Sequence, residues 1–491
     1  MIISSVPELN KRKEAHLIVF PFWKGVKKAK PAAHLGAFED KIKGPIAAND
    51  FSGAEAEMAL LYTQGEKEKR SLLLGLGNEE GVAPDKLRSI YAAVARFCLK
   101  KELTTINIVL PNIAQLRGIQ VEEALKAIAE GLLLSNYRWT LSSEKASNLL
   151  SSITFIGVLP KLMEGVRSCE LIAEGVYLAR DLINGNADDV TPAFLAKTAE
   201  EISKRYPAVE VTVFDRKQIA QEGLGLLQAV SRASFHEPVM IFASYKGAPR
   251  SKDHTILIGK GITFDSGGLN LKGTGMMETM RDDMSGAATV LATIQTLAAL
   301  GKKCNVTAVI PSTENAIGSL SYKPGDVYRS YSGKSVEIGN TDAEGRLILA
   351  DAISYAEKNL KPTRIIDIAT LTGSVVIALG DSMAGMISNN DLLADQLIDA
   401  GIKTAEPLWR LPLFLPYREL LNSDIADIKS TGGRPAGSIL AALFLHEFVG
   451  KTPWAHLDIA GTAFLAKERG YWPKNGVGFG VRLLIQFLST I

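Results

Sequence analysis

The chain contains 491 residues, 46% of them hydrophobic and 22% charged, and its formal net charge is +2. Such a composition is typical of a globular protein, and the length predicts two or three domains. Residues 1–165 hold 22 basic and 18 acidic side chains, an excess too slight to indicate a nucleic-acid partner. Three widely separated cysteines argue against both a disulfide framework and a thiolate metal site.

The apolar segments give no indication of a membrane protein. The first 20 residues lack the apolar core of a signal peptide. No apolar run approaches the roughly 18 residues that a membrane span needs. We therefore expect a cytoplasmic protein with no membrane partner, in agreement with the reducing compartment that the cysteines indicate.

Short apolar runs alternate with helical stretches from the N-terminus onward, a pattern typical of α/β proteins. In the first third, four runs predict buried strands, at 16–22, 71–77, 105–111 and 152–158. The stretch 84–102 predicts a helix, since it opens with a proline suited to a first helical turn. This third contains no cluster of acids, histidines or cysteines, so we expect the chemistry elsewhere.

A long amphipathic segment at 168–185 predicts a helix that connects the first third to the rest of the chain. Beyond it, further apolar runs predict the strands of a second, larger sheet, at 209–215, 238–245, 254–261, 304–312, 363–370 and 454–461. The sequence shows no internal repeat. The pattern therefore predicts two α/β regions joined by one helix.

Charged residues cluster around the end of the predicted strand 254–261. Lys260 stands at the strand's end, Asp265 follows five residues later in a glycine-rich loop, and Lys272 comes seven residues after that. Asp282 and Asp283 precede a helix of small residues, where Asp283 alone would suit an N-terminal cap. Because sites in open α/β sheets form at strand ends, the group together predicts a functional cleft.

The segment 340–352, NTDAEGRLILADA, places two more acids before an apolar helix. Asp342 and Glu344 are two residues apart, so an extended segment would point both side chains to the same side. Gly345 would then let the chain turn, with a helix predicted from Arg346 onward. Locally, this pattern fits either a helix cap or a cation site.

The number of acids favours a cation site. Four negative charges in one cleft would need neutralising, and two divalent cations would balance them. The four acids are Asp265, Asp283, Asp342 and Glu344. Oxygen-rich ligands without thiolates suit Mg, Mn or Zn. Lys260 could join such a shell, because a nearby metal lowers the pKa of a lysine and frees its lone pair.

Two histidines resemble parts of metal motifs but fit structural roles better. The sequence HEFVG from His446 begins like H-E-x-x-H, yet Gly450 stands where the second zinc ligand belongs. His456 lies inside an apolar run, where a hydrogen-bonded core histidine is the better interpretation. Kinase, serine-hydrolase and P-loop motifs are absent from the sequence.

Two motifs carry a resemblance to a known family. NTDAEGRL at 340–347 and GKGITFDSGG at 259–268, followed by Lys272, resemble the leucyl (cytosol) aminopeptidases, which are di-metal, hexameric exopeptidases. The resemblance is good beyond residue 175 and weaker before it. It implies three parts in chain order: a small N-terminal α/β domain at 1–165, a connecting helix at 166–186, and a larger catalytic α/β/α domain with a central mixed sheet at 187–491.

The resemblance also implies which residues bind metal. Asp265 and Glu344 would bridge the two metal ions. Lys260 and Asp283 would complete the shell of one metal. Asp342 would complete the shell of the other, through its side chain and its backbone carbonyl.

Lys272 and Arg346 match the family's two catalytic positions. Lys272 would stabilise the gem-diolate, and Arg346 would hold a bicarbonate ion that shuttles the proton, since an arginine has no basic lone pair at ordinary pH. Leu371 would lie near that anion, and Met280 would line the pocket for the N-terminal side chain. The chain departs from the family at 184–192, NGNADDVTP, and at 231–238, SRASFHEP, which bears on the loops near the cleft.

We therefore predict a metal-dependent aminopeptidase that releases leucine and similar N-terminal amino acids from peptides, through a water activated by two Mn or Zn ions per subunit. The family's assembly implies a homohexamer. Two other functions stay open. A nucleic-acid-binding accessory role has weak support from the slight basic excess of residues 1–165. A di-metal phosphoesterase is disfavoured, because such sites commonly include histidine ligands and none of the six histidines falls in the cluster.

Overall fold

The computed structural model describes residues 1–25, 28–64, 66–112, 119–141 and 149–490. They form two compact units. The N-terminal unit comprises Met1–Ala173 and the later segment Lys467–Pro473, and the larger unit comprises Glu174–Ala466 and the chain from Lys474 onward. None of the helices in the described ranges combines the length and the apolarity that a membrane crossing requires.

The N-terminal unit contains a mostly parallel sheet. Its described strands are β1 (Ile2–Val6), β2 (Leu17–Trp23), β3 (Lys30–Pro31), β4 (Met58–Tyr62), β5 (Arg70–Gly75), β6 (Thr105–Val109) and β7 (Ser152–Ile156). They lie in the order β1-β7-β6-β2-β5-β4, with β3 paired to β2. Only β3 and β4 run antiparallel to their neighbours among these pairs.

The described helices of this part of the chain are α1 (Lys43–Ala47), α2 (Pro84–Lys100), α3 (Val121–Ser135) and α4 (Met163–Asn184). The proline predicted to open a helix is the first residue of α2. All seven residues of β2 are buried, since a central strand in a parallel sheet is covered on both faces. The core of this unit therefore lies around β2.

The larger unit contains a mixed sheet and two small ones. Its described strands are β8 (Val209–Phe214), β9 (Val239–Lys246), β10 (Thr255–Gly259), β11 (Gly261–Asp265), β12 (Asn305–Asn315), β13 (Val327–Arg329), β14 (Ser335–Glu337), β15 (Arg364–Ala369), β16 (Ala384–Ser388), β17 (Leu408–Arg410), β18 (Ile428–Lys429), β19 (Trp454–Asp458), β20 (Phe464–Leu465) and β21 (Asn475–Gly476). The large sheet has the order β17-β16-β19-β15-β10-β12-β9-β8, with β11 paired to β12. β13, β14 and β18 form one small sheet, and β20 pairs with β21.

The described helices of this unit after α4 are α5 (Pro192–Arg205), α6 (Arg216–Glu222), α7 (Gly225–Ser231), α8 (Ser285–Leu300), α9 (Glu344–Asn359), α10 (Gly373–Leu379), α11 (Asp391–Thr404), α12 (Gly437–His446) and α13 (Val481–Leu488). α8 and α9 are buried along most of their length. Both follow directly on the acidic segments that the sequence singled out.

The centre of the large sheet is parallel. β12, β10, β15 and β19 run in the same direction, and the antiparallel strands β9 and β16 flank them. β10 and β19 are buried at every residue, as expected of apolar runs covered on both faces. The predicted fold class, two α/β regions with a mixed sheet in the larger one, is confirmed.

Candidate active site

Lys260 lies between two consecutive strands of the large sheet. β10 ends directly before it and β11 begins directly after it. The Lys260 amide donates to the carbonyl of Ile368 in β15 at 3.1 Å. β10 pairs with both β12 and β15, whereas β11 pairs with β12. The chain separates from β15 at this residue, which leaves the lysine at the carboxyl ends of parallel strands, where open α/β sheets form their sites.

Acids from two other segments bind the Lys260 ammonium. It donates to Asp283 Oδ1 at 2.8 Å, lies 2.9 Å from Glu344 Oε1, and donates to the carbonyl of Thr370 at 2.8 Å. Burial disfavours its charge, but Asp283, Glu344 and Asp265 outweigh burial and raise the pKa of Lys260. Lys260 is therefore charged as long as no cation competes for these carboxylates.

The Lys272 ammonium contacts the other two acids. Its Nζ lies 2.8 Å from Asp265 Oδ2 and 2.7 Å from Asp342 Oδ1. The loop after β11 folds back to place it there, since the Lys272 amide donates to the carbonyl of Ser266 at 3.0 Å. Burial acts against the charge, but Asp265 and Glu344 outweigh it and raise the pKa of Lys272. Two lysines and four acids thus form one cluster.

Asp342 and Glu344 reach this cluster from a turn and a helix start. Asp342 lies in the 3-10 turn Thr341–Ala343, whose cap is Asn340, and Asn340 Oδ1 accepts from the Asp342 amide at 2.8 Å. Glu344 is the first residue of α9. The predicted extended segment is therefore wrong, and the helix begins two residues before Arg346, because the capped turn starts it.

Gly345 has a different function from the predicted turn, because it lies inside α9. A Cβ atom at this position would stand 2.5 Å from Cε and 2.7 Å from Nζ of Lys260. Real Cβ atoms do not approach other atoms so closely. The glycine is therefore needed so that the Lys260 side chain can cross the first turn of α9 and reach Glu344.

The acidic oxygens of the cluster are crowded. Asp265, Asp342 and Glu344 each have an oxygen within 4.8 Å of the others. Burial raises the pKa of Asp265 to about 6 and the pKa of Asp283 well above its ordinary value. Burial acts in the same direction on Glu344, but the two lysines outweigh it and lower the pKa of Glu344. The carboxylates are thus unequal in their tendency to bind a proton.

The cluster fits divalent cations. Four carboxyl groups contact two ammonium groups, so with all four ionised two negative charges lack a counter-charge within the cluster, and the raised pKa values of Asp265 and Asp283 reflect this excess. Asp283 Oδ2 is buried and has no hydrogen-bond partner among the described residues. Carboxylate oxygens without thiolates are ligands that Mg, Mn and Zn accept. Cations would supply the missing positive charge.

Arg346 is the third residue of α9 and lies beside the cluster. Its Nη1 donates to the carbonyl of Ser430 at 2.8 Å, and its Nε is buried with no hydrogen-bond partner in the described part of the chain. Burial lowers the pKa of Arg346 to about 10, with Glu344 and Asp458 acting in the opposite direction. A buried guanidinium with an unused donor is suited to an anion.

The loop after β15 is hydrogen-bonded to Asp458, a carboxyl group that also acts on the charge of Arg346. Asp458 Oδ1 accepts from the amides of Leu371 and Thr372, at 3.1 and 3.3 Å, and Asp458 Oδ2 accepts from the Thr372 hydroxyl at 2.6 Å. The Leu371 amide is therefore already bonded to a carboxylate. Met280 begins the 3-10 turn Met280–Asp282 just before Asp283 and is half-buried.

The histidines do not join the cluster. Among the described residues, the group of acids that could hold a metal contains no histidine. His446 is the last residue of α12, and burial lowers its pKa. His456 is fully buried in β19, where its Nδ1 lies 2.5 Å from Asp367 Oδ1. The interpretation of His456 as a hydrogen-bonded core residue agrees with this contact.

Sequence reasoning missed three polar residues that contact the cluster or the turn that carries Asp342. Asn315 is the last residue of β12 and donates to Asp265, and Tyr322 donates to the carbonyl of Thr341 at 2.7 Å. Thr370 donates its hydroxyl to Asp283 Oδ1 at 2.8 Å. Asn315 and Thr370 lie at or just past the carboxyl ends of buried strands. The strand-end rule that selected Lys260 would have found both if it had been extended from charged to neutral polar residues.

A buried cluster of acids and lysines at the carboxyl ends of parallel strands defines an α/β enzyme with a candidate cation site. The sequence matches the models of the cytosol aminopeptidase family, with the catalytic domain over residues 177–485 and the N-terminal domain over residues 18–145. The chain belongs to the cytosol aminopeptidase family, as the two motifs predicted.

Curated relatives match the whole chain. It is 48% identical to the probable cytosol aminopeptidase of Protochlamydia amoebophila (strain UWE25), covering 98% of this chain and 97% of that protein. It is 50% identical to the probable cytosol aminopeptidase of Chlamydia abortus (strain DSM 27085 / S26/3), covering 100% and 99%.

Solved structures share the fold over nearly all of the chain. A point mutant of tomato leucine aminopeptidase matches with a TM-score of 0.88 and 31% identity, covering 100% of this chain and 96% of that one. The bottromycin maturation enzyme BotP in complex with Mn matches with a TM-score of 0.86 and 31% identity, covering 97% and 99%. This chain is thus an aminopeptidase, a hydrolase of peptide bonds, and the phosphoesterase alternative is not favoured.

Proposed function

We propose that this aminopeptidase is a two-metal enzyme that releases leucine and similar N-terminal residues from peptides. The observation that carries the proposal is the meeting of four carboxylates in one buried cluster with only two ammonium groups. When bound there, two divalent cations such as Mn or Zn would supply Lewis acidity toward a carbonyl and a water of lowered pKa. BotP has been solved with Mn, which supports a metal site in this fold.

The ligand set follows the contacts of the cluster and the family resemblance. Asp265 and Glu344 would be shared by both cations, Lys260 and Asp283 would belong to one, and Asp342 to the other. The Lys260 ammonium lies within 3 Å of both Asp283 and Glu344, which supports a common neighbour for these three residues. Lys260 would have to lose its proton to act as a ligand.

Lys272 has a different task. Its charge is stabilised by Asp265 and Asp342 at 2.8 and 2.7 Å, and it is less buried than Lys260. In our proposal it stays protonated and donates toward the substrate carbonyl oxygen, where negative charge develops during attack on the peptide bond. It thereby stabilises the transition state more than the bound peptide.

Arg346 would bind an anion and not act as a base. Even with its pKa lowered to about 10, it stays charged near neutral pH. Its unpartnered Nε supports a bound anion, and bicarbonate held there would supply the proton-accepting group that an arginine lacks. Met280 would line the pocket for the N-terminal side chain, and Leu371 would lie near the anion.

Metal analysis beside activity tests the proposal. Chelation should abolish hydrolysis of leucine amide, and added Mn or Zn should restore it. Asp265→Ala or Glu344→Ala should reduce the binding of both metals, whereas Asp342→Ala should mainly empty one site. Asp399→Ala, which changes an exposed acid on α11, is the matched control. Full activity in protein shown to be free of metal would overturn the two-metal mechanism.

The remaining proposals concern assembly, location and domain limits. We propose that the 52.9 kDa chain forms a cytoplasmic homohexamer, with domain limits at 165 and 186 as predicted from the sequence. Light scattering of the purified protein tests the assembly, and a monomer at working concentration would contradict it. Limited proteolysis followed by mass spectrometry tests the domain limits.

A further inference from the structure

Asn315 occupies a position between the acids of the cluster. It is the last residue of β12 and is fully buried. In the pairing of β11 with β12, it stands opposite Asp265. Its backbone carbonyl accepts from the amide of Ser266 at 3.0 Å and from the Ser266 hydroxyl at 2.6 Å. The strand end and the loop that carries Asp265 are therefore joined at this residue.

The side-chain amide of Asn315 joins three segments. Its Nδ2 donates to Asp265 Oδ1 at 2.8 Å and to the carbonyl of Thr341 at 2.9 Å, and it lies 3.5 Å from Glu344 Oε2. The nitrogen faces these oxygens, because the amide oxygen would repel them. The loop after β11, the turn before α9 and the first residue of α9 are thus tied to one planar group.

The opposite side of the amide shows how closely the site is packed. Asn315 Oδ1 is buried and has no hydrogen-bond partner among the described residues. A Cβ atom on Gly268 would stand 2.9 Å from it, and Gly268 has a φ of 65°. A buried polar atom without a partner costs free energy. The unpartnered Oδ1 of Asn315 therefore costs free energy, while the same side-chain orientation lets Nδ2 donate to Asp265 and to the Thr341 carbonyl.

The chemistry of an amide suits this position. A lysine or arginine would orient the carboxylates too, but it would also neutralise them, as Lys260 and Lys272 do in part. An amide donates hydrogen bonds without carrying charge, so the carboxylates keep the negative charge that a cation needs. Tyr322 adds a second neutral donor, since its hydroxyl donates to the same Thr341 carbonyl at 2.7 Å.

We propose that Asn315 is a positioning residue for the cation site, which fixes Asp265 and Glu344 relative to each other and thereby sets the spacing of two neighbouring cations. The inference rests on the proposed two-metal function. Asn315 acts through the ligands and touches no substrate. Its loss should change how the second cation binds more than it changes the stability of the fold.

The test compares two variants of Asn315 with a control from the same strand. Asn315→Leu removes both bonds while keeping the same number of side-chain heavy atoms, and Asn315→Ser keeps a polar group too short to reach both acceptors. Asn305 lies at the other end of β12, where its amide donates to the carbonyl of Ala248 at 2.7 Å and accepts from the Ala248 amide at 3.1 Å. Asn305→Leu therefore removes hydrogen bonds of the same kind away from the cluster.

Mn²⁺ titration by calorimetry and electron paramagnetic resonance of the Mn-loaded full-length protein are the readouts. We expect Asn315→Leu to weaken binding of the second Mn²⁺ by about 10- to 100-fold, the usual loss when a partner of a metal ligand is removed. The resonance spectrum should change from that of a coupled pair to that of isolated ions. Asn315→Ser should show a smaller loss of affinity for the second Mn²⁺ and a smaller change of the spectrum. Asn305→Leu should bind Mn²⁺ like the wild type.

The outcomes separate this inference from the proposed function. If the wild type binds fewer than two Mn²⁺ per chain, the two-metal proposal fails, and the inference fails with it. If the wild type binds a coupled pair and folded Asn315→Leu and Asn315→Ser do so with unchanged affinity and spectrum, the inference alone is overturned. Equal losses in Asn305→Leu would assign the effect to general weakening of β12, which would also overturn it.

Discussion

The ammonium of Lys260 donates to Asp283 Oδ1 at 2.8 Å, in a site where both side chains are almost completely buried. Removing one partner of a buried ion pair strongly destabilises the folded protein, because the other charge stays buried without a partner. Here the pair also has a second acid, Glu344, at 2.9 Å. The lysine therefore stabilises the acidic cluster without metal, and it would have to exchange its proton for a cation when metal binds.

The first prediction concerns the charge state of Lys260. Lys260→Arg should abolish normal metal binding, because a guanidinium cannot lose its proton to become a ligand and because the space beside Gly345 is already filled. Metal content per chain, measured with turnover, should fall to one or less. Lys246→Arg, at the exposed last residue of β9, is the control. Two metals per chain with normal turnover in Lys260→Arg would show that Lys260 is no ligand.

The second prediction concerns the close approach at Gly345. Gly345→Ala places a methyl group 2.5 Å from Lys260 Cε, so the lysine has to move away from Glu344. Overpacking of this kind costs about 1–3 kcal/mol, which exceeds the roughly 1 kcal/mol that alanine gains in a helix. Thermal unfolding and Mn²⁺ affinity should both decrease.

Gly44→Ala is the matched control for this change. Gly44 lies in the helix α1, and a Cβ atom there would meet nothing within 4 Å. That variant should unfold at the same or a higher temperature, with metal affinity unchanged. An unaltered metal affinity in Gly345→Ala would contradict the explanation of this glycine.

The third prediction separates Lys272 from the metal ligands. Lys272→Arg keeps the positive charge beside Asp265 and Asp342 and should retain both metals. Its kcat should fall by about 10²–10³-fold, the usual loss when one donor to a developing oxyanion is misplaced. KM should change little, since the donor acts mainly in the transition state. A loss of metal that accounts for the loss of kcat would instead make Lys272 part of the cation site.

The fourth prediction is the pH dependence of metal affinity. Burial raises the pKa of Asp265 to about 6 in the metal-free cluster, above the ordinary value of 3.8. Below pH 6 this carboxyl is protonated in the folded protein, and a cation has to displace the proton. Proton loss from Lys260 makes the dissociation constant of Mn²⁺ rise as the pH falls at every pH in this range, and the protonation of Asp265 should add up to about tenfold per unit below pH 6. Calorimetry between pH 5 and 7.5 measures the slope, and a slope that stays the same above and below pH 6 would contradict the prediction.

Much of the fold follows from the apolar runs of the sequence. Every strand predicted from such a run is present, including β2, β10 and β19, because runs covered on both faces are long and continuous. β1 and β4 were not predicted. They lie at the two edges of their sheet and are only half-buried. Two serines interrupt the apolar run of β1, whereas β4 has the apolar sequence MALLY, which sequence reasoning missed.

The residue types of the site also follow from the sequence. Charged residues just past a buried strand, such as Lys260 and Asp265, mark the strand ends where α/β sheets form sites. The sequence could not show that Gly345 makes room for Lys260. The two residues are 85 positions apart, and their contact depends on α9 packing against the end of β10.

Local sequence is enough to predict the α/β class, the buried strands and the acids and lysines available for chemistry, because periodicity and composition are local properties. Which of these groups contact each other depends on the folded chain. Lys260 contacts Asp283 and Glu344, and Lys272 contacts Asp265 and Asp342. Asn315 donates hydrogen bonds to Asp265 and to the turn before α9. These contacts are set by the order of strands in the sheet and by the separation of the chain from β15 at Lys260. Both result from packing between segments distant in sequence, which no local pattern encodes.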